Sequence, residues 1–575
     1  MKKLICTLVV LLIAANTMGQ GWEWGKSCGI VDGWVCHTDL NSNIYIGGVW
    51  QVASITIGAN TYHNYNPGPN NYETALAKFD SSGSLLWSCA STLGQAWPMD
   101  IVTDRSGNAY FYGCFWTDSL IIDSQLLVNT HVDSCLYPCV YAAGCYFLIK
   151  FDPAGHVVWA KTGNNLTDAG GRIAIDAADN IYISGSYKSA YMAIGPDTLY
   201  NAVYKQTDLF LAKYNSSGDA LWAKRFGGIF NDYAGGVVVG NDNKVYLSGM
   251  FNSPTITFGS TTLHYASSMP LDSISNTFLA KCDTSGNVIW ARSCVGSAIA
   301  YGIAMDHENN IFLGGEVFDT TFVAFDTDTL TNPNIQWAGF VAKYDSAGNV
   351  KWANGIYNKT NSLVTGQIAN RVYGLTTDSC GDVWISSRMS TDTAGIYLDS
   401  STVLHLPVGF NDPMFFAGYD ANGELLQYLA LKSGGDDDSR VATDKAQNIY
   451  LCGDDGAVTL YFGNDSVHAQ GGETMFLAKY KPNICTPLSV ASQTLLSPEA
   501  SLFPNPATNT LTIQYNGTNK ATANIYDITG RLMGSYPLTG STTTISVQNL
   551  PPGIYQCRVT DGEHNVVTKK VVVMH

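Results

Sequence analysis

FLAKCDTSGNVIWAR (278–292) reads as a strand, a tight turn and a second strand. Apolar and polar residues alternate on both sides of an Asp-x-x-Gly turn, whose Asp accepts backbone N–H bonds and whose Gly takes the left-handed conformation. The segment recurs as ALAKFDSSGSLLWSC (75–89), FLIKFDPAGHVVWAK (147–161), FLAKYNSSGDALWAK (210–224) and FVAKYDSAGNVKWAN (340–354), with FFAGYDANGELLQYL (415–429) a degenerate copy. Its lysine position falls at 78, 150, 213, 281, 343, 418 (Gly418) and 479. A second segment precedes each copy: TDLNSNIYIGG (38–48), TDRSGNAYFYG (103–113), IDAADNIYISG (175–185), VGNDNKVYLSG (239–249), MDHENNIFLGG (305–315), TDSCGDVWISS (377–387) and TDKAQNIYLCG (443–453). Seven of each in alternation make a repeat array with four strands expected per unit. The recurrent Trp87, Trp159, Trp222, Trp290 and Trp352 read as packing between neighbouring sheets. The recurrent lysine reads as an exposed strand position.

The ends of the array choose between an open stack and a ring. The last unit, TMFLAKYKPNIC (474–485), stops after its third strand, whereas WGKSC (24–28) matches WARSC (290–294) with no lysine strand before it. Residues 22–28 are therefore expected to complete the last sheet. The expected fold is all-β: a seven-bladed β-propeller over 20–480, its N-terminal strand closing the last blade.

The 575 residues carry 31 Lys+Arg against 47 Asp+Glu, a formal charge of −16, with charged residues only 14% and hydrophobic ones 46%. Such a chain is too apolar for disorder. Its acidity, without a basic run, excludes nucleic acid as the main partner. MKKLICTLVVLLIAANTMG (1–19) has the charged start, short apolar run and small residues of a Sec signal peptide, with cleavage expected between Gly19 and Gln20. No later stretch is long and apolar enough for a transmembrane segment. Fourteen cysteines minus Cys6 leave thirteen, an odd number. Cys135, Cys139 and Cys145 read as a local disulfide rather than a metal site, since no His lies at ligand spacing.

After a linker over 481–500 the composition changes. LFPNPATNTLTI (502–513), ANIYDITGRLM (523–533), LPPGIYQCRVTDG (550–562) and TKKVVVM (568–574) are short strands separated by Pro, Asn and Gly turns, as in a small Ig-like β-sandwich. Their order resembles the C-terminal sorting domain of type IX secretion in Bacteroidota, over 501–575. That resemblance implies sorting-signal roles for Pro504, Asn505, Pro506, Asp527, Gly530, Arg531, Gly553, Tyr555 and Lys570. It also implies the type IX machinery and its sortase as partners, and an extracellular or outer-membrane surface location after Sec export. The repeats over 21–480 resemble the bacterial SBBP-type propeller repeats, which imply the propeller and extracellular placement but no fixed activity.

In such a topology the Asp-x-x-Gly turns share one face. The other face carries connections that read as long and dissimilar: 49–74, the insert at 114–146, and 357–372. That long-loop face is the expected site of a glycan or surface ligand. The position five residues before each unit's Asp is Trp34, Met99, Gly171, Tyr301, Tyr373 and Ser439. With Trp97, Tyr233 and Arg440 nearby, an aromatic channel mouth is expected, the candidate binding residues being Trp34, Trp97, Tyr233, Tyr301, Tyr373 and Arg440. No nucleophile elbow or zincin motif occurs, so no catalytic residue and no cofactor are assigned. Calcium is considered only at Asp436, Asp437 and Asp438, where EF-hand spacing is missing. The expected function is a non-enzymatic binding or adhesion module. Alternatives are a structural surface protein without small ligand and a quinoprotein-like dehydrogenase. The latter's repeat cadence resembles AKYDSAGNVKW (342–352), but its vicinal Cys pair is absent.

Overall fold

The Asp-x-x-Gly segments close as their chemistry demands. Asp80 Oδ1 accepts the backbone N–H groups of Ser82 and Ser84, both at 2.9 Å, while Gly83 turns at φ +75°. In the preceding segments the left-handed position is held by Ser42, Gly107, Asp179, Asn243, Asn309, Gly381 and Gln447. The computed structural model describes residues 21–482 and 500–574, except 31, 66, 69–70, 130–143, 167–170, 267–274, 319–321, 332–337, 359–369, 389–394, 399–401, 405–413, 432–438, 455–458, 463–464, 468–474, 516–520, 528–530, 539–541 and 562–565. The leader with Gly19 and Gln20, most of the linker, Cys135, Cys139, Asp436, Asp437, Asp438 and Gly530 lie outside the described residues. Among the described residues every regular element is a strand, and no helix is long and apolar enough to cross a membrane. The chain divides into two units, 1–484 and 485–575.

In the first unit the strands assemble as antiparallel ladders of four. The first ladder runs Asp32–Thr38, Ile44–Trp50, Glu73–Phe79, Leu85–Leu93 from inside to outside. Five more follow with inner strands Ala96–Thr103, Ile173–Ile175, Asp232–Val239, Ala298–Met305 and Arg371–Thr377. The seventh, Arg440–Thr443, Ile449–Asp454 and Met475–Lys481, takes Gly21–Ser27 as its outer strand. Trp22 there faces Tyr480, and Trp24 faces Lys479. Each inner strand lies against the next, and Arg440–Thr443 lies against Asp32–Thr38, so the succession closes on itself. Successive sheets share apolar layers, such as the one holding Tyr110, Ile183 and Phe210.

The connections between second and third strands are not dissimilar. The stretches 49–74 and 114–146 each hold a two-stranded hairpin, Ser54–Ile57 with Asn60–His63 and Ser119–Ile122 with Gln125–Val128. The other units carry the same device, as in Tyr191–Ile194 with Asp197–Tyr200 and Thr255–Phe258 with Thr261–His264. A unit therefore has six strands, not four. The hairpins keep one apolar face, with Ile55, Ile57, Leu120, Ile122, Ile256 and Phe258 buried, and pack on the outer strands. Burial alternates along these strands, which run to four residues at most, too short for the period to stand out.

The repeated lysine is the second correction. It is buried at Lys78, Lys213 and Lys343 and half-buried at Lys150, Lys281 and Lys479, because the third strand is interior to its sheet and its Nζ lies in the cleft beside the second segment's Asp. The Nζ–carboxylate distances are 3.4 Å for Lys78–Asp39, 3.6 Å for Lys150–Asp104 and Lys213–Asp176, 2.8 Å for Lys281–Asp242 and 3.5 Å for Lys343–Asp306. Each ammonium also sits 4.9 Å from a ring centroid, that of Tyr45, Tyr110, Tyr182, Tyr246 or Phe312, which adds cation–π attraction to the ion pair.

The same lysines and the tryptophans beside them reach the next sheet's turn. Lys213 Nζ and Trp222 Nε1 both donate to Thr284 O, at 3.4 and 3.2 Å. Lys343 and Trp352 both donate to Ala421 O, each at 3.1 Å. Lys26 of the outermost seventh strand donates to Ser82 O and Gly83 O of the first sheet. The sixth sheet has Gly418 paired with Gln427 where the others have Lys and Trp. Its neighbour, the seventh sheet, draws its third and fourth strands from distant parts of the chain, with no Asp-x-x-Gly turn between them. A Cβ on Gly418 would instead meet the Trp384 ring at 2.8 Å.

In the second unit Ala500–Phe503, Thr510–Tyr515 and Thr542–Ser546 form one sheet, and Leu532–Leu538, Ala521–Tyr526, Gly553–Asp561 and Val566–Val573 the other. The two share a core that includes Leu511, Ile513, Ile525, Cys557 and Val571.

Candidate functional site

A cavity of about 360 Å³ is lined by residues of all seven inner strands, within the lower range of small-ligand sites. The starts of inner strands lie beside the ends of second strands, as in Arg371 opposite Arg388 and Ala298 opposite Val317. One end of the cavity is therefore also the end from which the hairpins depart. Near that end the inner strands are bulged. Register shifts fall at Trp34, Met99, Gly235, Tyr301 and Tyr373, and a bulge re-aims the side chain it carries.

The structure gathers three of the expected mouth residues. Tyr301 and Tyr373 lie with ring centroids 5.1 Å apart, and the Arg440 guanidinium sits 5.6 Å from the Tyr373 centroid. Behind them Tyr301 OH donates to Glu316 Oε2 at 3.0 Å. Arg371 holds the same oxygen at 2.9 Å and donates to Tyr373 OH at 3.1 Å. Burial pushes the Glu316 carboxyl up to about 7 against the opposing pull of Arg371. Trp97 belongs to a separate cluster, edge-on to Tyr72 at 5.9 Å and Trp116 at 5.2 Å. Tyr233 is half-buried at the start of the fourth inner strand. Trp34 is placed by its backbone alone, its side chain lying outside what is described.

Of the charged members, sequence reading named Arg440 and missed Asp100 and Arg172. Asp100, Arg172 and Arg440 line the cavity and stand one residue after Met99, Gly171 and Ser439. That register, read one step further along the chain, was the available signal. Asp100 accepts Ile101 N at 2.9 Å and Ile173 N at 3.2 Å; burial raises its pKa and Arg172 opposes the rise. Arg172 donates to Met99 O and Gly171 O. Deeper in the cavity His37 shares a hydrogen bond with Thr103 at 3.0 Å, and burial lowers its pKa to about 4. The arrangement offers guanidinium donors and an aromatic face to a polar ligand.

Asp378, Cys380 and Asp382 approach one another closely, but this is turn architecture. Asp378 accepts the N–H groups of Cys380 and Asp382 and the Trp384 indole, and the Cys380 sulfur is disulfide-bonded. Cys145, by contrast, is a buried thiol that donates to Asn129 Oδ1 at 3.0 Å and takes no part in the local disulfide expected with Cys135 and Cys139.

In the second unit Asn505 clips the last strand, donating to Lys570 O and accepting Val572 N, both at 2.8 Å. Asp527 accepts Arg531 N at 3.0 Å and pairs with its guanidinium at 3.2 Å. Tyr555, two residues after Gly553, is buried and donates to Pro551 O at 2.6 Å. Pro504, Pro506, Arg531 and Lys570 are exposed.

Residues 501–574 match the family model described as a secretion system C-terminal sorting domain. These residues are a type IX secretion sorting tail. The tail implies handling by that system and export to the cell surface or outer membrane. Among curated proteins, a WD repeat-containing protein of Acanthamoeba polyphaga mimivirus is 24% identical over 357 residues, 51% of this chain and 25% of that protein. An endo-acting ulvan lyase of Formosa agariphila is 34% identical over 89 residues, 15% of this chain and 17% of that protein. The chain thus spans a quarter or less of the length of these relatives. Similar solved structures include a ulvan lyase bound to a sugar (8% identity, 79% of this chain and 96% of that one, TM-score 0.37). Another is PorZ, a surface component of the type IX secretion system of Porphyromonas gingivalis (11% identity, 96% and 100%, TM-score 0.12). At these scores neither structure bears on the activity of this chain.

Proposed function

We propose that the seven sheets are the blades of a β-propeller of SBBP-type repeats, and that this propeller is a non-enzymatic binding module carried to the cell surface by its sorting tail. The tail is the part the sortase removes, leaving the propeller released or attached. The ligand enters the cavity from the hairpin-bearing end, where Tyr301, Tyr373 and Arg440 converge from three successive sheets. That convergence is the observation that carries the reading. It presents a ring face for stacking on a sugar or planar group and a guanidinium for its oxygens, and a glycan is the class it suits best. The test is a glycan array with the mature chain, then calorimetry on each hit with Y373A and R440A. Binding weakened at least tenfold by either variant supports the reading. Hits unaffected by both, or none at all, favour a purely structural surface role, to which the ties of Tyr301 and Arg371 to Glu316 are equally suited.

A further inference from the structure

At one pair of facing positions the junction between seventh and first sheets carries two thiols, where the other junctions carry none at the same pair. Cys36 stands three residues before Asp39, on the inner strand of the first sheet. Cys452 stands eight residues after Asp444, on the second strand of the seventh. Counted the same way, other junctions bring together Ile303 with Ser248, Leu375 with Gly314 and Val441 with Ser386. None of the six places a cysteine at either position. That these positions meet is plain at Gly314, where a Cβ would lie 2.6 Å from Leu375 Cδ1. At the thiol junction Cys452 Sγ lies 3.7 Å from the carbonyl of Val35 and within hydrogen-bonding reach of the Cys36 thiol.

The location matters because this is where the polypeptide is not continuous. The seventh sheet joins Met475–Lys481 to Gly21–Ser27 through ladder hydrogen bonds. Cys36 follows Gly21–Ser27 along the chain, and Cys452 precedes Met475–Lys481. A bond between the two sulfurs crosses that seam covalently. The sorting tail implies a location outside the cytoplasm, where thiols in contact oxidise. We infer that Cys36 and Cys452 form a disulfide in the exported protein, turning the closed succession of sheets into a covalently closed one.

Cys36 lines the cavity and is the thiol an oxidant meets first. With a low-molecular-weight disulfide as oxidant, the Cys36 thiolate attacks one of its sulfurs and expels the first thiol. Cys452 then loses its proton and attacks the Cys36 sulfur of the mixed disulfide, expelling the second. The protein gives up two protons and two electrons, and the reagent gains two thiols. The hydrogen bond to Cys452 and burial hold the Cys36 thiol well above its ordinary pKa, so exchange on the folded chain quickens as pH rises.

The experiment equilibrates the full chain with oxidised and reduced glutathione at pH 8, denatures it without reductant, alkylates with iodoacetamide and maps the peptides. The expected result is a linked Cys36–Cys452 peptide, absent from the C36I/C452S double variant that copies the Ile303 and Ser248 junction. Because Cys380 is also disulfide-bonded, the thermal effect is read as a difference. Reduction should lower the Tm of the native chain by about 5 °C more than that of the double variant. Alkylation of both thiols after oxidation, a link from Cys452 to the neighbouring Cys28 instead, or equal shifts in both proteins would overturn the assignment.

Discussion

Removing one carboxylate should cost far more than removing the lysine it faces. Asp176 Oδ1 accepts Ala178 N and Asn180 N, each at 2.9 Å. Its Oδ2 accepts the Asn180 amide at 2.9 Å and the Tyr182 hydroxyl at 3.1 Å, with Lys213 Nζ at 3.6 Å. In D176A a buried ammonium loses its counter-charge, about 3–5 kcal/mol, and the turn loses its internal acceptor, about 1 kcal/mol more. K213M leaves Asp176 with its four donors and fills the same cleft with apolar atoms. It loses mainly the hydrogen bond to Thr284 O, about 1 kcal/mol. For a unit of this size about 5 kcal/mol is a Tm fall of about 5 °C, against about 1 °C for K213M. Differential scanning fluorimetry of the mature chain at pH 7 measures both. Equal losses would refute the reasoning, because they would mean that the ion pair, rather than the burial of an uncompensated charge, sets the cost.

Burial would raise the carboxyls of Asp39, Asp104, Asp176 and Asp242, but hydrogen bonds and the lysines hold them below the ordinary range. Folded pKa values below the unfolded value of about 3.9 give stability that is complete above that pH and lost as pH falls through the folded values. Glu73 and Glu316, raised by burial to about 7, act with opposite sign, weakening the fold as pH rises from about 4 to 7. The Tm should therefore peak near pH 5, and a melting curve that still rises from pH 5 to 7 would contradict this balance. Deleting residues 20–30 removes the seventh sheet's outer strand and should lower the Tm sharply; a truncated chain that melts like the intact one would rule out closure by that strand. Gly218 sits at φ +80° with its would-be Cβ 2.8 Å from Lys161 Cε and 3.1 Å from the Trp159 ring, so G218A should cost about 2 kcal/mol in urea titration, and an unchanged midpoint would exclude that strain.

What could be read in the letters was whatever repeats at long period with strong chemistry. The Asp-x-x-Gly turns, the Trp positions and the split seventh unit all carry residues with few other uses, so spacing alone exposed them. The hairpins were not legible, because Ser54–Ile57 and its counterparts run to four residues at most and carry few letters in common from unit to unit. The lysine was misread because exposure depends on which strand of a sheet neighbours another sheet, and one unit's sequence does not contain its neighbour. At the cavity the aromatic positions were visible as a register, whereas Trp97 shows that register is not proximity. Its ring turns toward Tyr72 and Trp116, while Asp100 and Arg172, one step along the same strands, face inward.

The plain letters of the sixth unit acquire a meaning from this. Gly418 and Gln427 stand where Lys150 with Trp159, Lys213 with Trp222 and Lys343 with Trp352 each find a carbonyl in the sheet ahead, and the sheet ahead is the one assembled from both ends of the first unit. The place where the loop of sheets is spliced is thus recorded one unit upstream of the splice, in side chains rather than in the termini. A re-engineered chain opened at a different joint would strand an ammonium and an indole at the new opening. It would also leave the old one without the grip that holds its neighbours.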